Sequence, residues 1–475
     1  MNLQKLLKPE IMAVVGISHD NPLSPGRIIF IKNYFEMDVE VYGIHPDGGE
    51  IEGVSLYKSL KELPKTPDLL VIAVPAEFTA GYMQECADQG IDACIIISGG
   101  FAEIGEEGKK RQDKIVNIAT ENEIAVLGPN CIGVYSPPLF DTIFMPTERI
   151  KKPPKGSVAL ISQSGGVLVD QFFHKFNQIK IGVSTAVSIG NRTIVDETML
   201  LEYFSTKDDD TSNIAFYLES IKPEKSRDFL EIARNSTDDV IVYFGGLSER
   251  GKKATQSHTA SLSGNKDVLQ AALKQHLIIQ PRSEFELLTY LKLLDILSNK
   301  KKPFDINSVQ KGSVAILSLS GGHGVICADL LKKYGLSPVD FNQDEMDEMK
   351  GKVSSAAKHI ASYSNPIDLT GSAEDGDVAK VLRYISGIEK VECIIVLILP
   401  YTPSVSFQIG RRIANTVNEM RKPVVCFIPY IPKYNTIIEA LELSNIPVFH
   451  NIEEAVQGVS LLKELHRIKS IKKRN

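Results

Sequence analysis

The chain repeats itself. Residues 155–166, KGSVALISQSGG, return at 311–322 as KGSVAILSLSGG, identical at nine of twelve positions. Such a repeat fixes the number of folding units, so it has to be found before any single motif is trusted. Each copy reads as a buried strand, a Ser-x-Ser-Gly-Gly turn and a helix, at 167–173 and 325–333. The parallel continues downstream. Helical 198–203 and strand 214–218 answer to 378–385 and 394–399, and strand 240–244 answers to 424–428. Two related α/β domains therefore stand in tandem, with Lys300-Lys301-Lys302-Pro303 as the polar linker between them.

Ahead of them, short apolar runs at 13–15, 39–44, 69–74, 93–97 and 124–127 alternate with helix-length amphipathic stretches. That rhythm predicts a doubly wound parallel sheet. The length agrees, since 475 residues at ~150 per domain give about three domains. With 53 Lys and Arg against 59 Asp and Glu, the net charge of −6 offers no field for a phosphate backbone. Trp is absent and aromatics make up only 7%, so no base-stacking surface is expected and no nucleic-acid partner is predicted. The short basic tail Lys469, Lys472, Lys473, Arg474 reads as a solvated terminus.

The six cysteines are dispersed without a Cys-x-x-Cys pair, and Cys94, Cys393 and Cys426 lie in apolar runs. They read as buried thiols of a reducing compartment, neither a disulfide framework nor a zinc site. No apolar run reaches the ~18 residues of a membrane helix, and the N-terminus shows no signal peptide, so a cytoplasmic protein with no membrane partner is expected.

In open α/β sheets ligands bind at the carboxyl ends of the strands. In the first domain those ends read Gly16-Ile17-Ser18, His45-Pro46-Asp47, Pro75-Ala76, Ser98-Gly99-Gly100 and Gly128-Pro129-Asn130-Cys131. Five turns of small residues on one edge suit a backbone-lined groove for an elongated, phosphorylated ligand. A nicotinamide dinucleotide fits poorly. The first turn lacks the Gly-x-Gly-x-x-Gly spacing, and His45-Pro46 stands where an acidic residue would meet the ribose.

The duplication supplies an internal control. Where the first copy ends its strand in Leu218-Glu219-Ser220, the second has Leu399-Pro400-Tyr401. Where the first continues into a Gly/Ser-rich stretch carrying His258, the second passes through Ile431-Pro432-Lys433 to a helix. Residues needed only for the shared fold should be in both copies, so Glu219 and His258 point to chemistry. No second His, Cys or Asp stands near His258 at ligand spacing, so no metal site is predicted. A neutral imidazole can instead receive a phosphoryl group when a carboxylate fixes its tautomer, and Glu219 could be that carboxylate. Backbone amides at the helix start Ser162-Gln163-Ser164-Gly165-Gly166 could hold the phosphoryl oxygens.

These residues, with LLKPEIMAVVGIS, VIAVPAEFT, SGGFAEIGEEG, LGPNCIGV, SHTASLSG and SNPIDLTG, resemble the α subunits of NDP-forming acyl-CoA synthetases. The likeness is strongest to ADP-forming acetate:CoA ligases and extends to succinyl-CoA synthetases. It implies a Rossmann-like CoA-binding domain (1–145), then a flavodoxin-like domain with the phosphohistidine segment (150–298) and a second flavodoxin-like domain lacking it (306–468). It also implies that Gly16, Ile17, Ser18, Val74, Pro75, Ile97, Ser98, Gly99 and Asn130 contact coenzyme A. His258 would be the phosphohistidine and Glu219 its partner. ADP or ATP with Mg²⁺ would sit on a separate ATP-grasp β subunit, in an α2β2 assembly acting on a small carboxylic acid. The extra α/β copy favours the ADP-forming ligases, because the succinyl-CoA α subunits end after one.

The chain departs from the family pattern in four places. Asp47 stands for a Lys, Phe244-Gly245-Gly246-Leu247 for Lys-x-Gly-Arg, Ala260 for a Gly and His323 for a Pro. They point either to altered acyl specificity or to a degraded enzyme, so beside the synthetase stand a CoA-binding regulatory or scaffold protein of the same fold without turnover and, third, a nicotinamide-dependent dehydrogenase.

Overall fold

The computed structural model describes residues 1–251, 266–298, 305 and 308–473. They form two compact units, Met1–Glu284 and Phe285–Asn475. His258, Ala260 and the 300–303 linker lie outside the described residues.

The first unit opens with five parallel strands, β1 (Ile11–Val15), β2 (Glu40–Ile44), β3 (Leu69–Ile72), β4 (Ala93–Ile96) and β5 (Ala125–Leu127), in the order β2-β1-β3-β4-β5. They are almost wholly buried because helices cover both faces, as in any all-parallel sheet. The connecting helix Pro25–Glu36 starts on proline, and Ala76–Gln89 ends on Gly90 in the left-handed conformation. A single parallel bridge from Ile44 to Tyr57 adds a vestigial strand outside β2. With it the order becomes that of the Rossmann fold, with its ligand crevice beside β1.

The second sheet contains β6 (Val134–Ser136), β7 (Phe140–Asp141), β8 (Lys155–Ser162), β9 (Val183–Ser188), β10 (Asn213–Leu218) and β11 (Asp239–Phe244), in the order β11-β10-β8-β9-β6-β7. The hairpin β6–β7 precedes residue 145, yet β6 pairs antiparallel with β9 of this sheet. Ile279 bridges to Ile241 at the far edge, so the parallel part follows the flavodoxin order. One hydrophobic core runs through both sheets, from Val14 and Leu127 to Val134, Ile161, Val187 and Leu200.

The second unit repeats the flavodoxin order with β12 (Ser313–Ser318), β13 (Ser337–Pro338), β14 (Ile367–Asp368), β15 (Cys393–Leu397), β16 (Val424–Phe427) and β17 (Val448–Phe449). From Phe285 onward the helix Glu284–Ser298 belongs here: Lys292 Nζ donates to Val448 O at 2.7 Å and pairs with Glu442 at 3.3 Å. The last helix, Ile452–Lys472, takes in Lys469 and Lys472, which the sequence had placed in a solvated terminus. All six cysteines are buried thiols.

Register corrects one alignment between the copies. Ser162 pairs with Tyr217, and Ser318 with Leu397. Glu219, two residues after Tyr217, therefore corresponds to Leu399 rather than to Pro400, and Ser220 corresponds to Pro400. The helix after the first Ser-x-Ser-Gly-Gly turn also differs from its copy. Val167–Phe173 is a π-helix, whereas Gly321–Lys333 is an ordinary α-helix.

Candidate active site

β8 and β10 are adjacent and parallel, so the turns at their carboxyl ends lie side by side. Gln163 leaves β8 with its backbone N–H on Tyr217 O at 2.9 Å. Its side-chain Oε1 accepts from Glu219 N at 2.9 Å and from Ser220 N at 3.3 Å. A buried amide thus fixes the backbone of the loop that carries Glu219. From the other side, the buried Arg192 donates to Ser220 O at 2.9 Å and to Ser220 Oγ at 3.1 Å. Its guanidinium also pairs with the fully buried Glu197 at 3.2 Å, and Glu197 accepts from Lys222 N at 2.6 Å. A buried charge is tolerable only when paired and hydrogen-bonded in this way.

The Ser162–Gly166 turn divides its labour. Ser162 is fully buried and its hydroxyl donates to Ser164 O at 2.6 Å, so it shapes the turn. Gly165 and Gly166 begin the helix, where backbone N–H groups have no partner within the helix and the dipole favours an anion.

The first domain meets this turn along β5. Residues 189–195 run beside it, with Asn191 N on Pro129 O at 2.9 Å, Val195 N on Val126 O at 3.0 Å and Thr193 Oγ1 on Gly128 O at 2.9 Å. Gly190 makes the approach possible. It has φ +56°, and a Cβ there would stand 2.4 Å from Pro129 O. Asn191 then ties the two domains together, donating to Glu103 Oε2 at 2.7 Å and Gln112 Oε1 at 3.1 Å, and accepting from Asn130 Nδ2 at 3.4 Å. Burial pushes the Glu103 carboxyl up, but the Phe101 and Gly100 amides and Asn191 outweigh it and hold the group below the usual carboxylate range.

The result is one cavity of about 640 Å³ between the two sheets. From the first domain it is lined by Ile97, Gly99, Glu103 and Asn130, and from the second by Gln163, Ser164, Gly165, Gly166, Asn191, Arg192 and Glu219. Three of the nine residues assigned to CoA, four of the five assigned to phosphate, and Glu219 are therefore brought together. Gly16, Ile17, Ser18, Val74, Pro75 and Ser98 do not line it. They continue the same sheet edge away from it, with the Ser98 hydroxyl on Val74 O and Asn130 N on Ser98 O at 2.9 Å. An extended ligand with its reactive end in the cavity would run along that edge.

Sequence reasoning missed Glu103, Asn191 and Arg192. The strand-end rule, applied to β9 as it was to the first five strands, would have found the Gly190-Asn191-Arg192 turn. Two departures also have a setting. Asp47 is exposed beside His45, whose ring packs edge-on against His19 at 4.4 Å. His323 Nδ1 lies 3.2 Å from Ser320 Oγ, and its ring is 5.8 Å from that of Phe427.

Two domain families match parts of the chain. Residues 10–137 match the CoA binding domain family, and residues 155–294 match the succinyl-CoA ligase like flavodoxin domain. The alpha subunit of ADP-forming acetate–CoA ligase I from Pyrococcus furiosus is 33% identical over 97% of both chains. The ADP-forming acetate–CoA ligase I of Archaeoglobus fulgidus is 30% identical over 98% of this chain, which spans 64% of that longer protein. Among solved structures, the dinucleotide-forming acetyl-coenzyme A synthetase 1 of Ca. Korarchaeum cryptofilum, in complex with phosphate and ADP, superposes with a TM-score of 0.85. It is 27% identical, and the match covers 100% of this chain and 98% of that one. With both domain families in sequence and a full-length α-subunit relative, the chain belongs to the family of ADP-forming acetate–CoA ligase α subunits.

Proposed function

We propose that this chain is the α subunit of an acyl-CoA synthetase that interconverts acyl-CoA, ADP and phosphate with a carboxylic acid, ATP and CoA. The observation that carries the reading is the single cavity joining Ile97, Gly99 and Asn130 to Gln163–Gly166 and Glu219.

CoA lies along the edge Gly16-Ile17-Ser18, Val74-Pro75 and Ile97-Ser98-Gly99, with its thioester in the cavity. Phosphate, held by the Gly165 and Gly166 amides, attacks the thioester carbonyl. The C–S bond breaks, CoA leaves as the thiol, and an acyl phosphate forms. A ring nitrogen of His258 then attacks phosphorus, the P–O bond to the acyl group breaks, and the carboxylate departs. Glu219 fixes the imidazole tautomer and offsets the positive charge that develops on it. Phosphohistidine finally transfers its phosphoryl group to ADP, which with Mg²⁺ is held by a separate ATP-grasp β subunit in an α2β2 enzyme of the cytoplasm. A scaffold role would not need Gln163, Arg192 and Glu197 to hold the Glu219 loop from both sides.

The test is incubation of the full chain with acyl-CoA and radiolabelled phosphate. The expected result is one acid-labile phosphoryl group per chain on wild type and none on His258→Ala. Absence of label from wild type, or undiminished label on the variant, overturns the reading.

A further inference from the structure

The motif SGGFAEIGEEG supplies Ser98 and Gly99 to the proposed CoA edge, and it also supplies Glu103, which lines the cavity. Glu103 sits in a single 3₁₀ turn, Ala102–Ile104, between β4 and the helix Glu106–Glu121. Its Oε1 accepts from Gly100 N at 2.6 Å and from Phe101 N at 3.0 Å, so one carboxylate oxygen fixes two consecutive amides. Arg111, on the helix, donates to Gly100 O at 3.2 Å and holds the same turn by its carbonyl. The turn lies directly against the acid, since a Cβ on Gly99 would stand 3.3 Å from Glu103 Oε1. The other oxygen, Oε2, reaches the neighbouring domain, where it accepts from Asn191 Nδ2 at 2.7 Å. The next residue, Arg192, donates to Ser220 O at 2.9 Å, beside Glu219. Glu103 thus connects the turn after β4 to the segment that holds the Glu219 loop.

We infer that Glu103 is a positioning residue for the acyl-transfer step: through Asn191 it holds the Gly99 turn, and with it the thioester carbonyl, in register with phosphate on the Gly165-Gly166 turn. The inference rests on the acyl-CoA reading above and adds the residue that aligns its two halves. A misplacement of about 1 Å between reacting groups costs on the order of 100-fold in rate, so such an alignment matters more to the chemical step than to binding. CoA affinity draws on the rest of the edge, Gly16-Ile17-Ser18 and Val74-Pro75, which continues outside the cavity. Loss of Glu103 therefore separates rate from affinity, whereas general damage to the domain lowers both.

The test takes two measurements on the full chain: the Kd for CoA by titration, and the single-turnover rate of phosphate-dependent CoA release from the fastest of acetyl-CoA, isobutyryl-CoA and phenylacetyl-CoA. Glu103→Ala should slow release roughly 30–100-fold while its Kd stays within about threefold of wild type. Asn191→Asp sets two carboxylates face to face and should slow release by a similar factor. The double variant Glu103→Gln/Asn191→Asp exchanges donor and acceptor across the pair and should return release to within about fivefold of wild type. A wild-type rate in Glu103→Ala, a rise in Kd that matches its loss of rate, or a double variant no faster than Asn191→Asp overturns the positioning role and leaves the synthetase reading standing. No CoA release by wild type from any of the three thioesters overturns both.

Discussion

Gln163 shows how much one side chain settles at this site. Its oxygen accepts from both amides of the Glu219 turn, and the second copy replaces it with Leu319, Glu219 with Leu399 and Ser220 with Pro400. Proline lacks the N–H that Gln163 would have accepted, so the two copies differ consistently on both sides of the interaction. Leu is thus compatible with the fold here, and Gln163→Leu should fold with a stability loss of about 1–3 kcal/mol. The rate of His258 phosphorylation should fall by roughly 10–100-fold, since a positioning group is lost. Gln163→Glu keeps an acceptor and should restore most of that rate; equal rates for the two variants would remove the positioning role. A second residue-scale expectation concerns Lys32, which with Lys152 shares the buried carboxylate of Asp141, Lys32 at 3.0 Å. Burial lowers its pKa from 10.5 to about 8, against the pull of Asp141 and with the help of Lys152. Between those values the unfolded chain keeps a proton that the folded chain gives up, so stability rises with pH across that window. The Tm of wild type measured against Lys32→Met should climb by roughly 2–5 °C from pH 8 to 10. A flat difference would show that Lys32 stays charged in the fold. Single residues were legible when they followed strands of a recognised pattern, as Glu219 and Gln163 did. Asn191 and Arg192 also follow a strand, so their turn could be found the same way, but their contacts, with residues 88 and 28 positions away in sequence, could not be read from it.

At the scale of elements, the parallel strands could be read from apolar runs alone, and all five runs of the first domain form one sheet. The Ser-x-Ser turn was legible as a feature but less so in meaning. Ser318 Oγ donates to Ser320 O at 2.7 Å, the same bond that Ser162 makes to Ser164 at 2.6 Å. The bond therefore builds the turn in both copies, and what sets the first copy apart is Gln163 and Glu219, to which the proposed function gives the chemistry. The π-helix left no trace in hydrophobic periodicity, because one extra residue per turn is too small a change of period to detect over seven residues. Helix-to-strand distance is likewise invisible in a pattern, yet it shapes the turn after β1, to which the proposal assigns the nucleotide end of CoA. Gly26, in the helix Pro25–Glu36, lies so close to the turn after β1 that a Cβ would stand 2.5 Å from Gly16 O. Gly26→Ala should therefore push the helix off the strand end, costing about 1–3 kcal/mol and several-fold in CoA affinity. Thermal unfolding and CoA titration check the pair, and an unchanged affinity would place the CoA nucleotide away from this turn.

For the whole molecule, the duplication proved the most informative sequence feature, because it separates what folds the chain from what the chain does. The residues assembled around the cavity all belong to Met1–Glu284, and the second unit repeats the framework with Leu319, Leu399 and Pro400 in the decisive places. What could not be read from the repeat was where the elements between domains belong. The β6–β7 hairpin joins the second sheet by strand pairing, and the helix from Phe285 is buried in the second unit, and both follow from long-range packing. This distribution of chemistry makes a prediction about the complete reaction. In the proposed mechanism, forming and cleaving the acyl phosphate uses the CoA edge, the glycine turn, Glu219 and His258, all within this chain, whereas transfer to ADP uses a nucleotide site on a partner. Given acyl-CoA, phosphate and ADP with Mg²⁺, the chain alone should gain a single phosphoryl adduct by intact mass while a luciferase assay detects no ATP. Addition of an ATP-grasp β subunit should then discharge the adduct and produce ATP in equal amount. Ser320→Ala, in the second unit, should leave the adduct unchanged, because the turn it belongs to lacks the carboxylate. ATP from the chain alone would place the nucleotide site within it and remove the division of labour.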